Sequence, residues 1–274
     1  MSQTQNTMSQ AQKAPNHTYT EAQLVEQPAI ELFADMGWET VVAWEETMGQ
    51  GGTLGRETKG DVVLSGRLRA ALGRLNPTVP PEGINAAIEE LTRDRSAMVP
   101  VAANREIYTM LKEGVRVSLP DHEEGGQKVE VLRVVDWESA ANNDFLLVGQ
   151  LTVVGPLYPC RPDLVGFVNG LPLVVIELKN ISVPARAAFD GNITHYKAQV
   201  PALFWYNAFL IASNGIASHI GSLTSDWEHW REWKRVQRED EPRRVSLEVM
   251  LRGVCDPVRL LDLVENFTLF SEHK

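Results

Sequence analysis

Asp163, Glu177 and Lys179 are the residues whose types and spacing could do chemistry, because each stands at the end of a strongly apolar run. Residues 164–168 and 173–178 are apolar at nearly every position, and an Asn169-Gly170 pair lies between them. Charges at the ends of buried segments cost solvation free energy unless something pairs with them. A divalent cation is such a partner. Two carboxylates on one face would hold Mg²⁺ through oxygen and leave water on its other positions. A lysine beside them could orient or deprotonate an attacking water and stabilise charge building on a phosphate.

For these side chains to meet, the two runs must form a hairpin, and Asn-Gly between apolar runs is a strong signal for one. Runs without polar alternation predict central strands covered on both faces. Glu177 and Lys179 are two apart, so an extended strand points them to the same side. Whether Asp163 joins them depends on register. A two-residue Asn169-Gly170 loop pairs Val168 with Leu171, sets Asp163 opposite Ile176 and puts Glu177 on the wrong face. A three-residue loop over 169–171, with Gly170 free to take positive φ, sets Asp163 opposite Glu177. The expectation is this second register, or a bulge that restores the same parity.

Elsewhere the patterning predicts helices around this hairpin. Thr20 and Gln23 form a plausible capping box. The apolar stripe that follows continues to Met36 and ends at Gly37, with Pro28 kinking or restarting it. Further helices are expected over 64–75, 84–91 and 103–112, the last ended by Gly114. Strands are expected over 129–135, 145–154 and 209–213. Another helix opens at Pro184, with Phe189, Ile193, Tyr196 and Val200 on one face. Asn192 and Tyr196 are four apart and so adjacent on it. The glycine-rich stretch 49–56 lacks the Gly-Lys-Ser/Thr ending of a phosphate loop and reads as a flexible loop. Trp227, Trp230 and Trp233 recur every three residues on an expected helix, suited to packing or to base stacking. Sequential strands around the motif suit an α/β fold, a central mixed sheet flanked by helices.

The chain has 274 residues, enough for a full core, and ordinary proportions of apolar (43%) and charged (23%) residues for a globular protein. Its apolar runs fall far short of the ~20 residues a membrane span needs. The polar N-terminus lacks an apolar signal core, which predicts a cytoplasmic protein. Residues 1–18 read as a disordered tail. The two cysteines, Cys160 and Cys255, have neither disulfide-framework nor zinc-site spacing. The net charge of −10 argues against a free-standing DNA-binding protein. Basic residues nonetheless cluster locally: Arg56, Lys59, Arg67, Arg69 and Arg74, then Arg231, Lys234, Arg235 and Arg238.

The order Pro162-Asp163, then Glu177-Leu178-Lys179, resembles the signature of the PD-(D/E)XK nucleases. The wording Arg161-Pro-Asp-Leu-Val-Gly-Phe-Val-Asn-Gly-Leu-Pro-Leu-Val-Val-Ile-Glu-Leu-Lys-Asn resembles more closely the nuclease motif of type I restriction enzyme R subunits. The likeness extends over roughly 20–270. It implies a PD-(D/E)XK fold with Asp163, Glu177 and Lys179 as catalytic residues. It also implies Mg²⁺, with Mn²⁺ as substitute, on Asp163, Glu177 and the Leu178 carbonyl. By the same resemblance Glu26 turns toward the metal site from the first helix. Asn192 and Tyr196 stand where the family has Gln-x-x-x-Tyr, with Asn one methylene shorter than Gln. The implied partners are double-stranded DNA and the methyltransferase (M) and specificity (S) subunits.

In those R subunits an ATP-driven translocase follows the nuclease domain, and none of its motifs occurs here. The expected organisation is therefore a nuclease domain over 19–257 and a connector over 258–274 that would lead into the motor. The chain is expected to be the N-terminal nuclease domain of a longer subunit, with ATP acting only through that motor. Two other expectations stand beside it: a catalytically silent docking domain of the same complex, and an independent repair or defence nuclease.

Overall fold

The two runs flanking the motif turn are buried at every residue and form the middle of a six-stranded sheet. The computed structural model of the protein describes residues 22–120, 125–238 and 240–271. The expected tail and the Thr20 half of the capping box lie outside the described residues.

In chain order, a π-helical turn Ala22–Glu26 leads into α1 (Gln27–Asp35) and then β1 (Glu39–Val42). Helices α2 (Ser65–Leu75), α3 (Pro81–Thr92) and α4 (Pro100–Glu113) precede a ribbon of β2 (Val115–Pro120) and β3 (Gln127–Leu132). Five strands follow: β4 (Phe145–Gly149), β5 (Val153–Val154), β6 (Pro159–Cys160), β7 (Leu164–Val168) and β8 (Leu171–Leu178). Next come α5 (Arg186–Ala188), a second π-helical turn Phe189–Ile193, α6 (Thr194–Gln199) and α7 (Pro201–Phe204). The chain then forms β9 (Phe209–Ser213), β10 (Ser218–Gly221), α8 (Ser246–Val254) and α9 (Pro257–Phe267).

The central sheet has the order β1-β4-β7-β8-β9-β10 and is mixed, as expected. β1 runs parallel to β4 and β8 parallel to β9, while the other neighbours are antiparallel. Helices flank it. α1 and α8 pack on each other, α1 also meeting β1 and β4, and α8 meeting β10. Trp38 fastens this layer through edge contacts with Phe33 and Phe145 and an indole N–H bond to the Cys255 carbonyl at 2.9 Å. From α9, Leu260, Leu261 and Val264 join the same apolar core. No helix among the described residues is long and apolar enough to cross a membrane.

The hairpin reaches the required parity by the bulge and not by the longer loop. Asn169 (φ 51°) and Gly170 (φ 80°) make a two-residue turn, with both residues left-handed as a type I′ hairpin requires. Gly166 then faces Val174 while Phe167 faces Pro172, which leaves Leu173 as one extra residue on β8. That extra residue brings Leu164 opposite Ile176, and so Asp163 level with Glu177. The bulged Leu173 carbonyl is satisfied from outside the ladder, by the Ala208 N–H at 2.7 Å and the Asn207 amide at 3.2 Å.

Asn169 is fully buried. Its amide donates to Val134 O (2.8 Å) and Asn143 Oδ1 (2.9 Å), and its oxygen accepts from Asp144 N (2.8 Å). Gly170 sits so close to α2 that a Cβ would lie 2.6 Å from Leu64 O and 2.8 Å from Leu68 N. Both are backbone atoms that cannot rotate away. Gly170→Ala is therefore expected to cost about 1–3 kcal/mol or more, from the left-handed φ and the clash together. Urea unfolding should show a lower midpoint at unchanged slope. An unchanged midpoint would mean that the turn does not pin α2.

Four expectations are corrected. The strand expected over 145–154 breaks at Gln150, which takes φ 56°, so only Phe145–Gly149 belongs to the central sheet. The strand expected over 129–135 is Gln127–Leu132, and it pairs with β2 in a separate ribbon, since exposed Val129 and Val131 give it no second buried face. The helix at Pro184 begins at Arg186 and passes through a π-helical turn. The tryptophans lie on no continuous helix. A single 3₁₀ turn, Trp227–His229, is followed by extended chain, because Ile220 and Arg231 exchange backbone hydrogen bonds and draw the segment along β10. Trp227 and Trp230 stack on one another and contact Phe189, so their role is packing.

Candidate active site

Parallel pairing with β9 sets Glu177 beside Ala212 near the end of β8, where it is only 2% exposed. Asp163, the residue before β7, is held across the hairpin by the Leu178 N–H, which donates to its Oδ2 at 2.7 Å. The bulge therefore delivers the two carboxylates to one side. The Lys179 N–H donates to Ser213 O at 2.8 Å, so the strand direction persists one residue further. The Lys179 ammonium returns to the same face, 3.2 Å from Glu177 Oε1 and 3.0 Å from the Leu178 carbonyl.

Glu177 Oε2 is buried and has no hydrogen-bond donor. Burial first, and the neighbouring Asp163 charge second, push this carboxyl from its ordinary 4.5 up to about 8, with Lys179 opposing both. The folded site thus holds the Glu177 proton more tightly than the unfolded chain does. Below about pH 4.5 both states are protonated; above it the unfolded chain releases its proton first, and stability falls until the folded carboxyl ionises near pH 8. Compared with Glu177→Gln, the metal-free protein should lose stability across this window in urea titrations, and a divalent cation should remove the loss by replacing the proton. A difference from Glu177→Gln that does not change with pH would contradict this account.

The remaining expected residues gather around this pair. Glu26, at the end of the first π-helical turn, reaches the site through Gln150: the Gln150 amide donates to Glu26 Oε2 (2.9 Å) and to Asp163 Oδ1 (3.2 Å). The Gln150 backbone N–H also donates to Asp163 O at 2.8 Å. Its left-handed backbone aims that amide into the site, as strained residues at functional sites often do. Sequence reasoning passed over Gln150. The available signal was a polar residue closing the run Phe145–Gly149. Asn192 donates to the Tyr196 hydroxyl at 3.0 Å, and that hydroxyl donates to the Arg161 carbonyl at 3.2 Å. Burial, then the Glu177 charge, raise the Tyr196 hydroxyl above its ordinary value and keep it a neutral donor. Cys160 also lines the cleft, its thiol pushed up to about 12 by burial and by Glu177, which makes it a poor nucleophile.

As a cation site the donor set is oxygen-rich and spare. Among the described residues no three His, Cys, Asp or Glu side chains gather into a ligand group. Asp163, Glu177 and the Leu178 carbonyl are what the protein offers, and the orphaned Glu177 oxygen is a ready ligand. Few oxygen donors with room for water suit Mg²⁺ better than a softer, nitrogen- or sulfur-seeking ion. The four arginines of the first expected basic cluster are spent internally. Arg56 is buried against Glu46, Arg67 pairs with Glu39 and Asp144, Arg69 bonds Asn85, and Arg74 bonds the Asn142 carbonyl.

The family described as "Type I restriction enzyme R protein N terminus" matches residues 18–229, a span that contains every residue of this site. The chain belongs to this family. It is 34% identical over 257 residues to the type I restriction enzyme HindI endonuclease subunit of Haemophilus influenzae, covering 90% of this chain and 24% of that protein. It is 26% identical over 244 residues to a Methanocaldococcus jannaschii protein provisionally named the type I restriction enzyme MjaIXP endonuclease subunit, covering 80% and 23%. It is 27% identical over 142 residues to the SsaAORF53P endonuclease subunit of Staphylococcus saprophyticus, covering 52% and 15%. The chain thus spans about a quarter or less of the length of these relatives. As an R-protein N-terminal domain it has the mixed sheet flanked by helices that suits a PD-(D/E)XK-like nuclease fold.

Proposed function

We propose that this chain is the metal-dependent nuclease domain of a type I restriction endonuclease subunit, hydrolysing phosphodiester bonds of unmodified DNA in the cytoplasm. The observation that carries the proposal is the buried, donorless Glu177 oxygen beside a second carboxylate and a lysine, in a cleft open to solvent. A buried ion pair kept for stability alone is ordinarily completed by donors to its remaining lone pairs. Asp163, Glu177 and the Leu178 carbonyl would hold Mg²⁺ or Mn²⁺. When bound, the ion would lower the pKa of a water and polarise the scissile phosphate. Lys179, tethered to Glu177 and the Leu178 carbonyl, orients the attacking water and offsets charge growing on the phosphate oxygens. Gln150 fixes Asp163 from behind, and the Asn192–Tyr196 pair braces the backbone at Arg161.

DNA delivery lies with other components. With 36 acids against 26 bases, and the arginines of its first basic cluster paired internally, the chain attracts duplex DNA weakly. The proposed partners are the methyltransferase and specificity subunits and an ATP-driven motor in the same enzyme. The isolated chain should then show at most slow, metal-dependent, sequence-independent nicking of plasmid DNA. Reassembly with motor, M and S components should make cleavage strong and ATP-dependent. Tight binding or cutting at a defined site by the isolated chain would mean that it is a complete nuclease.

A further inference from the structure

Four charged side chains line the site cleft: Asp163, Glu177, Lys179 and Arg161. Three of them are engaged with one another or with neighbouring groups. The fourth differs. No hydrogen bond or ion pair engages the Arg161 guanidinium among the described residues, and it lies over the Trp44 ring, 4.1 Å from its centroid. Trp44 is 60% exposed, which is unusual for a tryptophan.

The chain works to keep that ring in place. Ala43, just before it, extends the β1–β4 pairing by donating to Gly149 O at 2.8 Å. Just after it, Glu46 forms a wholly buried ion pair with Arg56. Arg56 also donates to Asp61 O (2.8 Å) and to Thr152 O (2.9 Å), and Thr152 lines the cleft. The loop carrying Trp44 is thereby clamped to the cleft wall. The backbone under Arg161 is held too, by the Tyr196 hydroxyl and by Pro162. A guanidinium stacked on an aromatic face keeps the N–H donors at its edge for a planar, bidentate acceptor.

We infer that Arg161, held on Trp44, binds a DNA backbone phosphate beside the scissile one, with Trp44 as its positioning residue. The inference rests on the nuclease reading of the same cleft. Arg161 is two residues from Asp163, so their Cα atoms are at most about 7 Å apart. Phosphates recur about every 3.4 Å of axis along one strand, so the guanidinium reaches a phosphate one or two nucleotides from the metal site. In an otherwise acidic protein this supplies one fixed cation where the strand must enter.

The test is fluorescence anisotropy of the 274-residue chain with a short fluorescein-labelled duplex, without metal, across ~50 to ~200 mM salt. Arg161→Ala should weaken binding roughly tenfold or more. It should also lower the slope of log affinity against log salt by ~0.9, one phosphate contact. Arg161→Lys should keep the slope and lose affinity, having the charge without the fork. Trp44→Leu should also keep the slope and weaken binding roughly threefold, with Trp44→Phe restoring part of it. An unchanged slope in Arg161→Ala, whether or not affinity falls, overturns the inference, as does absence of wild-type binding at the lowest salt. Because the assay needs no cleavage, it answers for Arg161 alone; the nuclease reading is decided separately by Lys179 and Asp163.

Discussion

Lys179→Ala in the restriction enzyme proposed above, reassembled from its proposed motor, M and S components, is expected to lower DNA cleavage by a factor of about 10²–10⁴. On that proposal, ATP hydrolysis and translocation should be unchanged. The expectation follows from where the ammonium sits: 3.2 Å from Glu177 and 3.0 Å from the Leu178 carbonyl, on the face that carries both carboxylates. Nothing in the core depends on it. Its side chain is 18% exposed, and its removal opens no large cavity, so the melting temperature should hardly move. Lys179→Arg should recover only part of the activity, since a planar fork cannot stand in for a compact point charge at this spacing. Wild-type cleavage by Lys179→Ala would end its catalytic assignment. Loss of ATP hydrolysis in a folded variant would mean that the site is coupled to the motor in a way the geometry does not suggest.

Asp163→Asn should abolish divalent-cation binding. Calorimetric titration with Mn²⁺ is expected to give binding heat for the wild type and none for the variant. Thermal unfolding should report the same difference: at a cation concentration of 100 Kd the wild type gains about 2.7 kcal/mol, and the variant gains nothing. Asn is chosen because its oxygen can still accept the Leu178 N–H that Asp163 Oδ2 accepts at 2.7 Å, which preserves the hairpin end. The change also removes the Asp163 charge, the second cause of the raised Glu177 carboxyl, and leaves burial, the first. The variant's Glu177 should therefore ionise at lower pH than the wild type's, yet still above the ordinary carboxylate range. Equal Mn²⁺ binding by both proteins would remove Asp163 from the ligand set.

Much of this was already written in residue type and period. The apolar runs on either side of Asn169-Gly170 were legible as buried strands, because each is short, lacks the alternation a solvated face imposes and abuts a hairpin turn signal. The helices over 64–75, 84–91 and 103–112 were legible within a few residues for the same reason, since their stripes and their Gly and Pro boundaries are local. Glu177 with Lys179, and Asn192 with Tyr196, were legible as pairs because strand and helix periods put each pair on a shared face before any tertiary contact forms. Asp163 and the gathering of the two pairs came from the resemblance, since period alone left the register open.

Non-local contacts decided the rest. Which residue is bulged depended on Leu173 finding donors in Asn207 and Ala208, more than thirty residues away in sequence. Gln150 joined the site because a left-handed backbone, supported by Asp163 and Glu26, turned its amide inward; alone, that conformation is unfavourable for a non-glycine residue. The tryptophan segment looked helical by period, yet Ile220 on the edge of β10 offered Arg231 backbone partners and drew it straight. The basic residues of α2 were legible as a local cluster, but not that Glu39, Asp144 and Asn85 would fold against Arg67 and Arg69. Sequence period determines which side of an element a residue faces. What stands opposite that side is settled only when distant segments compete for the same hydrogen bonds and charges.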